Sequence, residues 1–159
     1  MRAILPVLLA VLLATAACAG RPAEPPTPAP TTARLVITAS PVLNPNEAGE
    51  AEPVIVRLFR LRSADGFRRA AFADLAEPLD EKTLGQDLVG TVEFEFYPGQ
   101  SETLTREFDP GDRWLGIVAE YREHGTAKWR DLIELVPNAE TEVDLQLGPR
   151  AVLARVRPS

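Results

Sequence analysis

The chain has 159 residues, 17 Lys and Arg against 23 Asp and Glu, a formal charge of −6, 15 prolines, one cysteine and one histidine. An acidic balance argues against nucleic acid as a partner, and a lone cysteine fits neither an intrachain disulfide framework nor a thiolate metal site. Once an N-terminal leader and linker are set aside, about 120 residues remain, the size of one domain with its own core.

Met1 and Arg2 give a short positive start. Ala3 to Leu13 form an apolar run broken by Pro6, and Thr15, Ala16 and Ala17 are small residues directly before Cys18. Residues 1–17 therefore read as a signal peptide, too short to span a bilayer. Small residues followed at once by cysteine resemble a bacterial lipobox, with Thr15 where leucine is more usual. The resemblance implies cleavage before Cys18 and acylation of Cys18; the alternative is ordinary secretion with an incidental cysteine. Several acyl chains, at about 0.8 kcal/mol per buried methylene, would make the anchor effectively permanent. In Gram-negative lipoproteins an aspartate after the cysteine retains the protein at the inner membrane. Ala19 follows here, which implies the inner leaflet of the outer membrane, facing the periplasm. Residues 18–32 then form a tether with prolines at 22, 25, 26, 28 and 30. Extended as polyproline II at ~3.1 Å per residue it would reach roughly 40 Å; a disordered spacer would play the same part.

In the body, residues 33–155, a period of two dominates. Val92, Phe94 and Phe96 alternate with Thr91, Glu93 and Glu95, and Val143, Leu145 and Leu147 with Glu142, Asp144 and Gln146, as half-buried strands require. Pro53 to Leu61 and Arg113 to Tyr121 are apolar on both faces and read as central strands. Further strands are expected at Arg34 to Ser40, Glu102 to Phe108 and Trp129 to Val136. Turn signals stand between most of these elements, at Pro98-Gly99, Asp109 to Asp112 and His124-Gly125. The fold class is all-β: an antiparallel β-sandwich of seven to eight strands, with Val92, Phe94, Phe96, Ile117 and Val143 buried between the sheets. One segment breaks the rhythm. Phe67, Ala71 and Leu75 recur every four residues and Phe72 widens the stripe, predicting a helix over Gly66 to Ala76, N-capped by Asp65 or Ser63 and ended by Pro78. With a helical turn near Glu81 to Gly85, it makes an insertion between the second and third strands that can cover an edge or end of the sandwich.

Few residues could carry chemistry. His124 precedes a glycine in a turn and is assigned no role. Asp74, Glu77, Asp80, Glu81 and Asp87 lack the oxygen spacing and turn glycine of a calcium loop and read as a solvated face. Tyr97, Trp114, Tyr121 and Trp129 lie in or beside strands and read as core. No catalytic elbow, Cys/His pair or phosphate loop is present, so the chain reads as a non-enzyme with no cofactor, metal or small-molecule substrate.

What remains is the loop from Pro41 to Pro53, longer than a hairpin needs. Long loops on rigid scaffolds are where binding is placed, although a tolerated surface insertion reads the same way. Leu43-Asn44-Pro45-Asn46, Gly49 and Pro53 to Leu61 resemble the start of the TssJ (VasD/Lip) family, outer-membrane lipoproteins of type VI secretion systems. The likeness continues in order through Phe67, Ala71-Phe72, Leu75, Leu84 to Leu88, Pro98-Gly99, Leu115 to Ala119, Tyr121-Arg122, Ala127 to Arg130 and Val143 to Leu147, covering about residues 35 to 152. The resemblance implies a transthyretin-like sandwich with helical additions. It further implies that the protein docks the periplasmic C-terminal region of TssM, an inner-membrane protein, through Leu43, Asn44, Pro45, Asn46, Glu47, Gly49 and Glu50. The two asparagines would offer donors and acceptors, and Glu47, Glu50 and Glu52 would favour a basic patch. The other readings are a periplasmic small-ligand carrier, betrayed by an apolar cavity of about 300 Å³ or more, and an accessory lipoprotein of another envelope machine.

Overall fold

The period-two segments form eight strands: β1 (Thr31–Ala39), β2 (Val54–Leu61), β3 (Leu88–Phe96), β4 (Ser101–Phe108), β5 (Trp114–Ala119), β6 (Arg130–Glu134), β7 (Glu140–Leu147) and β8 (Val152–Val156). The computed structural model describes residues 27–75 and 79–158. The signal peptide, Cys18, the tether prolines 22, 25 and 26, and Glu77 and Pro78 of the insertion lie outside the described residues. β1 begins at Thr31, inside the segment read as tether.

Two four-stranded sheets face each other, in the orders β4-β1-β7-β8 and β3-β2-β5-β6. All neighbours are antiparallel except β1 and β7, which run parallel with Leu35 beside Val143 and Ile37 beside Leu145. That pair corrects the purely antiparallel expectation. Strands separated by the whole of the other sheet are joined by crossovers, and these permit parallel pairing where a hairpin cannot.

Alternation assigns the faces. Ala33, Leu35, Ile37 and Ala39 of β1 meet Val54, Val56 and Leu58 of β2, Leu115 and Ile117 of β5, and Val143, Leu145 and Leu147 of β7 in one buried cluster between the sheets. β2 and β5 are apolar on both faces because the second sheet is covered on both. On its outer face Phe59, Leu61 and Val118 pack against Phe67, Ala70, Leu75 and Leu84 of the insertion. Full burial of each large side chain contributes about 1.5–3 kcal/mol. The closest approach is at Gly116, where an added Cβ would lie 2.7 Å from the Phe67 ring.

The insertion is not one helix. It comprises α1 (Asp65–Arg69), α2 (Phe72–Leu75), α3 (Leu79–Leu84) and a 3-10 turn, Gly85–Asp87. Neither Asp65 nor Ser63 is the N-cap of α1; that position is Ala64, without a side-chain cap. Ala70 is extended, and tertiary partners satisfy the groups freed by the break. Arg130 Nη1 donates to the carbonyls of Phe67 and Ala70 at 2.9 and 2.6 Å, and the Ala71 amide donates to Asp74 Oδ2 at 2.9 Å. Phe72 stacks on His124, ring centroids 4.3 Å apart, and meets Trp129 edge-on at 5.3 Å. The insertion thus runs along the outer face of the sheet and does not close an edge.

Three expected burials and one expected exposure need correction. Val92 is 43% exposed and Phe94 is half-buried, whereas Phe96, Ile117 and Val143 are fully buried. β3 and β4 are the outermost strands of their sheets on the same side, and there the sandwich opens into an apolar cleft of about 130 Å³ lined by Leu58, Val92, Phe108 and Leu115. The alternation in β3 is sound, but among the described residues the facing sheet covers its middle only in part. Tyr97, just past the end of β3, is 53% exposed, not core. In the acidic group Asp80 is buried, its Oδ1 accepting the Glu81 amide at 2.8 Å, so it is not part of a solvated face.

Candidate docking loop at the end of the sandwich

Strand direction sorts the connections to two ends. β1–β2 (40–53), β3–β4 (97–100), β5–β6 (120–129) and β7–β8 (148–151) lie at one end; Thr31, the first residue of β1, lies at the other with the root of the insertion. Nine residues of β1, about 30 Å at ~3.3 Å each, separate them.

The 40–53 loop is held from inside. The Leu43 side chain is fully buried in the inter-sheet core. Asn44, nearly as buried, takes a left-handed φ of +42°, which asparagine tolerates better than most residues. Its Nδ2 donates to the Pro53 carbonyl at 2.7 Å, closing the loop's base, and its Oδ1 accepts the Arg122 amide at 2.9 Å, tying the loop to the β5–β6 connection. Asn46 organises the tip. Its Oδ1 accepts the amides of Ala48 and Glu50, both at 3.0 Å, and its Nδ2 donates to Glu50 at 2.9 Å and Glu52 at 3.2 Å. Gly49 sits at φ +82°, strained for any residue with a Cβ, and its amide donates to the Asn46 carbonyl at 2.9 Å. Glu52 pairs with Arg122.

The site residues named from sequence therefore divide. Leu43 is a core side chain, and the amide groups of Asn44 and Asn46 are engaged within the loop, so they hold its shape instead of offering free donors and acceptors. Pro45 is half-buried, while Glu47, Ala48, Gly49 and Glu50 form an exposed tip. Arg122 was missed as a loop partner; its only sequence signal was the Tyr121-Arg122 block. The neighbouring 97–100 turn is also ordered, with the Gln100 amide donating to the Tyr97 carbonyl at 3.1 Å and the Gly99 amide to the Ser40 carbonyl at 3.1 Å.

Among the described residues no group of three or more His, Cys, Asp or Glu could hold a metal, and no helix is long and apolar enough to cross a membrane. The hydrogen bond from Arg122 holds the Glu52 carboxylate below the ordinary glutamate value, outweighing slight desolvation. Because the folded-state value is lowered, the tie is complete above the ordinary carboxylate range and is lost as pH falls through the lowered value. Carbon-detected NMR titration should find Glu52 ionising below the ordinary glutamate value. In Arg122→Gln its midpoint should rise into the ordinary range.

Residues 31–150 match the family model T6SS-SciN, described as type VI secretion lipoprotein, VasD, EvfM, TssJ. The chain belongs to this family. Among solved structures it is similar to the T6SS lipoprotein TssJ1 from Pseudomonas aeruginosa, with 35% identity and a TM-score of 0.78 over 82% of this chain and 98% of that one. It also matches Serratia marcescens Lip, a membrane-bound component of the type VI secretion system, with 24% identity and a TM-score of 0.71 over 81% and 99% of the two chains. A third match is to a structure described as the T6SS protein TssM C-terminal domain from EAEC, at 20% identity and a TM-score of 0.60 over 81% and 99%. No curated protein matched. The TssJ family is one of secretion-system lipoproteins, and the eight-stranded sandwich found here is its fold.

Proposed function

We propose that this TssJ family member is anchored in the inner leaflet of the outer membrane through a lipid on Cys18 and docks the periplasmic C-terminal region of TssM with the tip of its 40–53 loop. The observation that carries this reading is the loop's position: a rigid, acidic tip at the end of the sandwich opposite the tether. Further support comes from the family's description as lipoproteins and from a fold neighbour whose description names the TssM C-terminal domain. Residues 1–17 are then a cleaved leader and the segment up to Thr31 a spacer. Loss of fatty-acid labelling in Cys18→Ser checks the anchor.

A loop already fixed by Asn44, Asn46 and Gly49 has little ordering entropy left to lose on binding. Glu47 and Glu50 supply charge for a basic patch on the partner, and such rim charges act mostly on association rate and weaken with salt. Replacing residues 47–50 with Gly and Ser should leave the melting temperature close to wild type and weaken binding to the TssM region at least tenfold, about 1.4 kcal/mol. Asn44→Ala should instead lower stability by about 1–3 kcal/mol, since it strips partners from buried backbone groups. Calorimetric titration against that region decides between the surfaces. Wild-type affinity in the 47–50 variant would move the docking surface elsewhere. The insertion is then a poor substitute, because Phe67 and Leu75 are fully buried; the 97–100 turn with Tyr97 would come next. The carrier reading asks for an apolar cavity of about 300 Å³ or more; the apolar cleft holds about 130 Å³, and the larger hollow of about 580 Å³ beside Asp80, Glu81, Gly85 and Thr91 is open and mostly polar.

A further inference from the structure

Strand β4 is hydrogen-bonded on one side only. Its neighbour is β1, and among the described residues no strand pairs with its outer edge. An unpaired edge of eight residues is a template for another strand. Its phase follows from the ladder. The Ala39 amide donates to the Gln100 carbonyl at 2.8 Å, so Gln100 belongs to a hydrogen-bonded pair. Such pairs alternate, so Glu102, Leu104 and Arg106 also turn their backbone groups toward β1. Ser101, Thr103, Thr105 and Glu107 present theirs at the free edge.

We propose that β4 pairs antiparallel with β4 of a second copy of this chain, about a twofold axis at Leu104. This sets Ser101 opposite Glu107, Glu102 opposite Arg106, Thr103 opposite Thr105, and Leu104 opposite itself. The register meets the phase requirement, since only outward-facing residues fall in its hydrogen-bonded pairs. It also pairs β4 over nearly its full length. Both Glu102–Arg106 pairs and the Leu104 pair fall at non-hydrogen-bonded positions, where Cα atoms approach to about 4.5 Å and side chains interact best. Sliding by two residues in either direction keeps the phase but sets Glu102 against Leu104 or Phe108 and leaves both acids without their bases.

Two further observations agree. Arg106 has no carboxylate partner among the described residues; its guanidinium lies over the Phe94 ring, 5.6 Å from the centroid, and is within reach of an incoming carboxylate. The inner-face side chains of an added strand would also project over the open side of the sandwich, above exposed Val92 and half-buried Phe94. The twofold sends the two Thr31 ends in opposite directions. The pairing does not depend on the docking role of the 40–53 loop.

Disulfide trapping of the full lipidated chain in the oxidising envelope tests it, with the parent chain as control for Cys18. Leu104→Cys should give a disulfide-linked dimer, since about 4.5 Å between Cα atoms suits the bond. Thr103→Cys and Thr105→Cys, each about 8 Å from its own copy in this register, should give at least tenfold less. Glu102→Arg or Arg106→Glu added to Leu104→Cys should each suppress the dimer, and the two together should restore it. No dimer at position 104, equal trapping at all three positions, or indifference to the charge reversals would overturn the proposal. Native mass measurement of the detergent-extracted chain, with no cysteine added, guards against a misfolded variant. Wild type should be dimeric and Thr103→Pro, which removes an outward amide, monomeric; a monomeric wild type would also overturn it.

Discussion

Phe67→Ala should destabilise the protein by about 3–5 kcal/mol, and Gly116→Ala, harmful by itself, should become harmless in that background. Phe67 is fully buried against the outer face of the second sheet, its ring 5.5 Å from that of Phe59. Gly116 in β5 is the floor beneath it. A Cβ there would lie 2.7 and 2.8 Å from two ring carbons of Phe67, a side chain fully buried among Phe59, Leu75 and Val118. Overpacking of this kind costs about 1–3 kcal/mol. Without the ring, alanine at 116 has room, and removing a glycine from a strand interior is favourable by roughly 0.5–1 kcal/mol. The effect of Gly116→Ala should therefore change sign between the two backgrounds, which a double-mutant cycle in urea measures directly. The same penalty in both would mean that Gly116 serves the strand and not the ring.

Along β3, truncation should follow a gradient. Phe96→Ala should cost about 3–5 kcal/mol, Phe94→Ala clearly less, and Val92→Ala under about 1 kcal/mol. All three point to the same face, opposite Val54, Val56 and Leu58 of β2. They differ in what lies above them. Phe96 is fully buried in the inter-sheet cluster, Phe94 is only packed against its margin, and Val92 stands at the open cleft. Glu93→Ala, on the other face, tests the register. Glu93 reaches the buried Arg57 at 3.1 Å from a half-exposed position, and Glu120 remains as a partner of that guanidinium when Glu93 is removed, so the loss should stay within about 1 kcal/mol. Three equal losses at 92, 94 and 96 would show that the sandwich closes over this edge in solution.

These cases mark where a period of two stops being informative. Alternation reports which face a side chain takes, and in β7 that is enough to name Val143, Leu145 and Leu147 as core. It does not report whether the opposite sheet reaches far enough to cover that face, which is why Val92 was misread. The two apolar faces of β2 and β5 were legible as centrality, but the sequence held no sign that one face would receive the insertion. Gly116 is the closest thing to a sign, a glycine in an otherwise bulky strand. β8 was only partly legible. It is absent from the segments read as strands, and Arg157, just past its end, pairs with Glu142 and Asp144 of the adjacent strand. In the loop, residue types were read correctly and their use was not. Asn44 and Asn46 in an exposed, turn-forming segment suggest free hydrogen-bonding groups, yet short amides serve equally well to bind their own backbone.

The placement of β1 has a mechanical consequence. β1 begins at Thr31 and the 40–53 loop leaves after Ala39, so one strand joins the N-terminal end of the sandwich to the end that carries the loop. That strand lies inside its sheet, with β4 along one side and β7 along the other. Under the anchoring and docking proposed above, tension between Cys18 and a partner gripping the loop would be directed along β1 and would shear it against two neighbours at once. The hydrogen bonds of both ladders share such a pull, whereas the short outer strand β8, with one partner, could be peeled away a bond at a time.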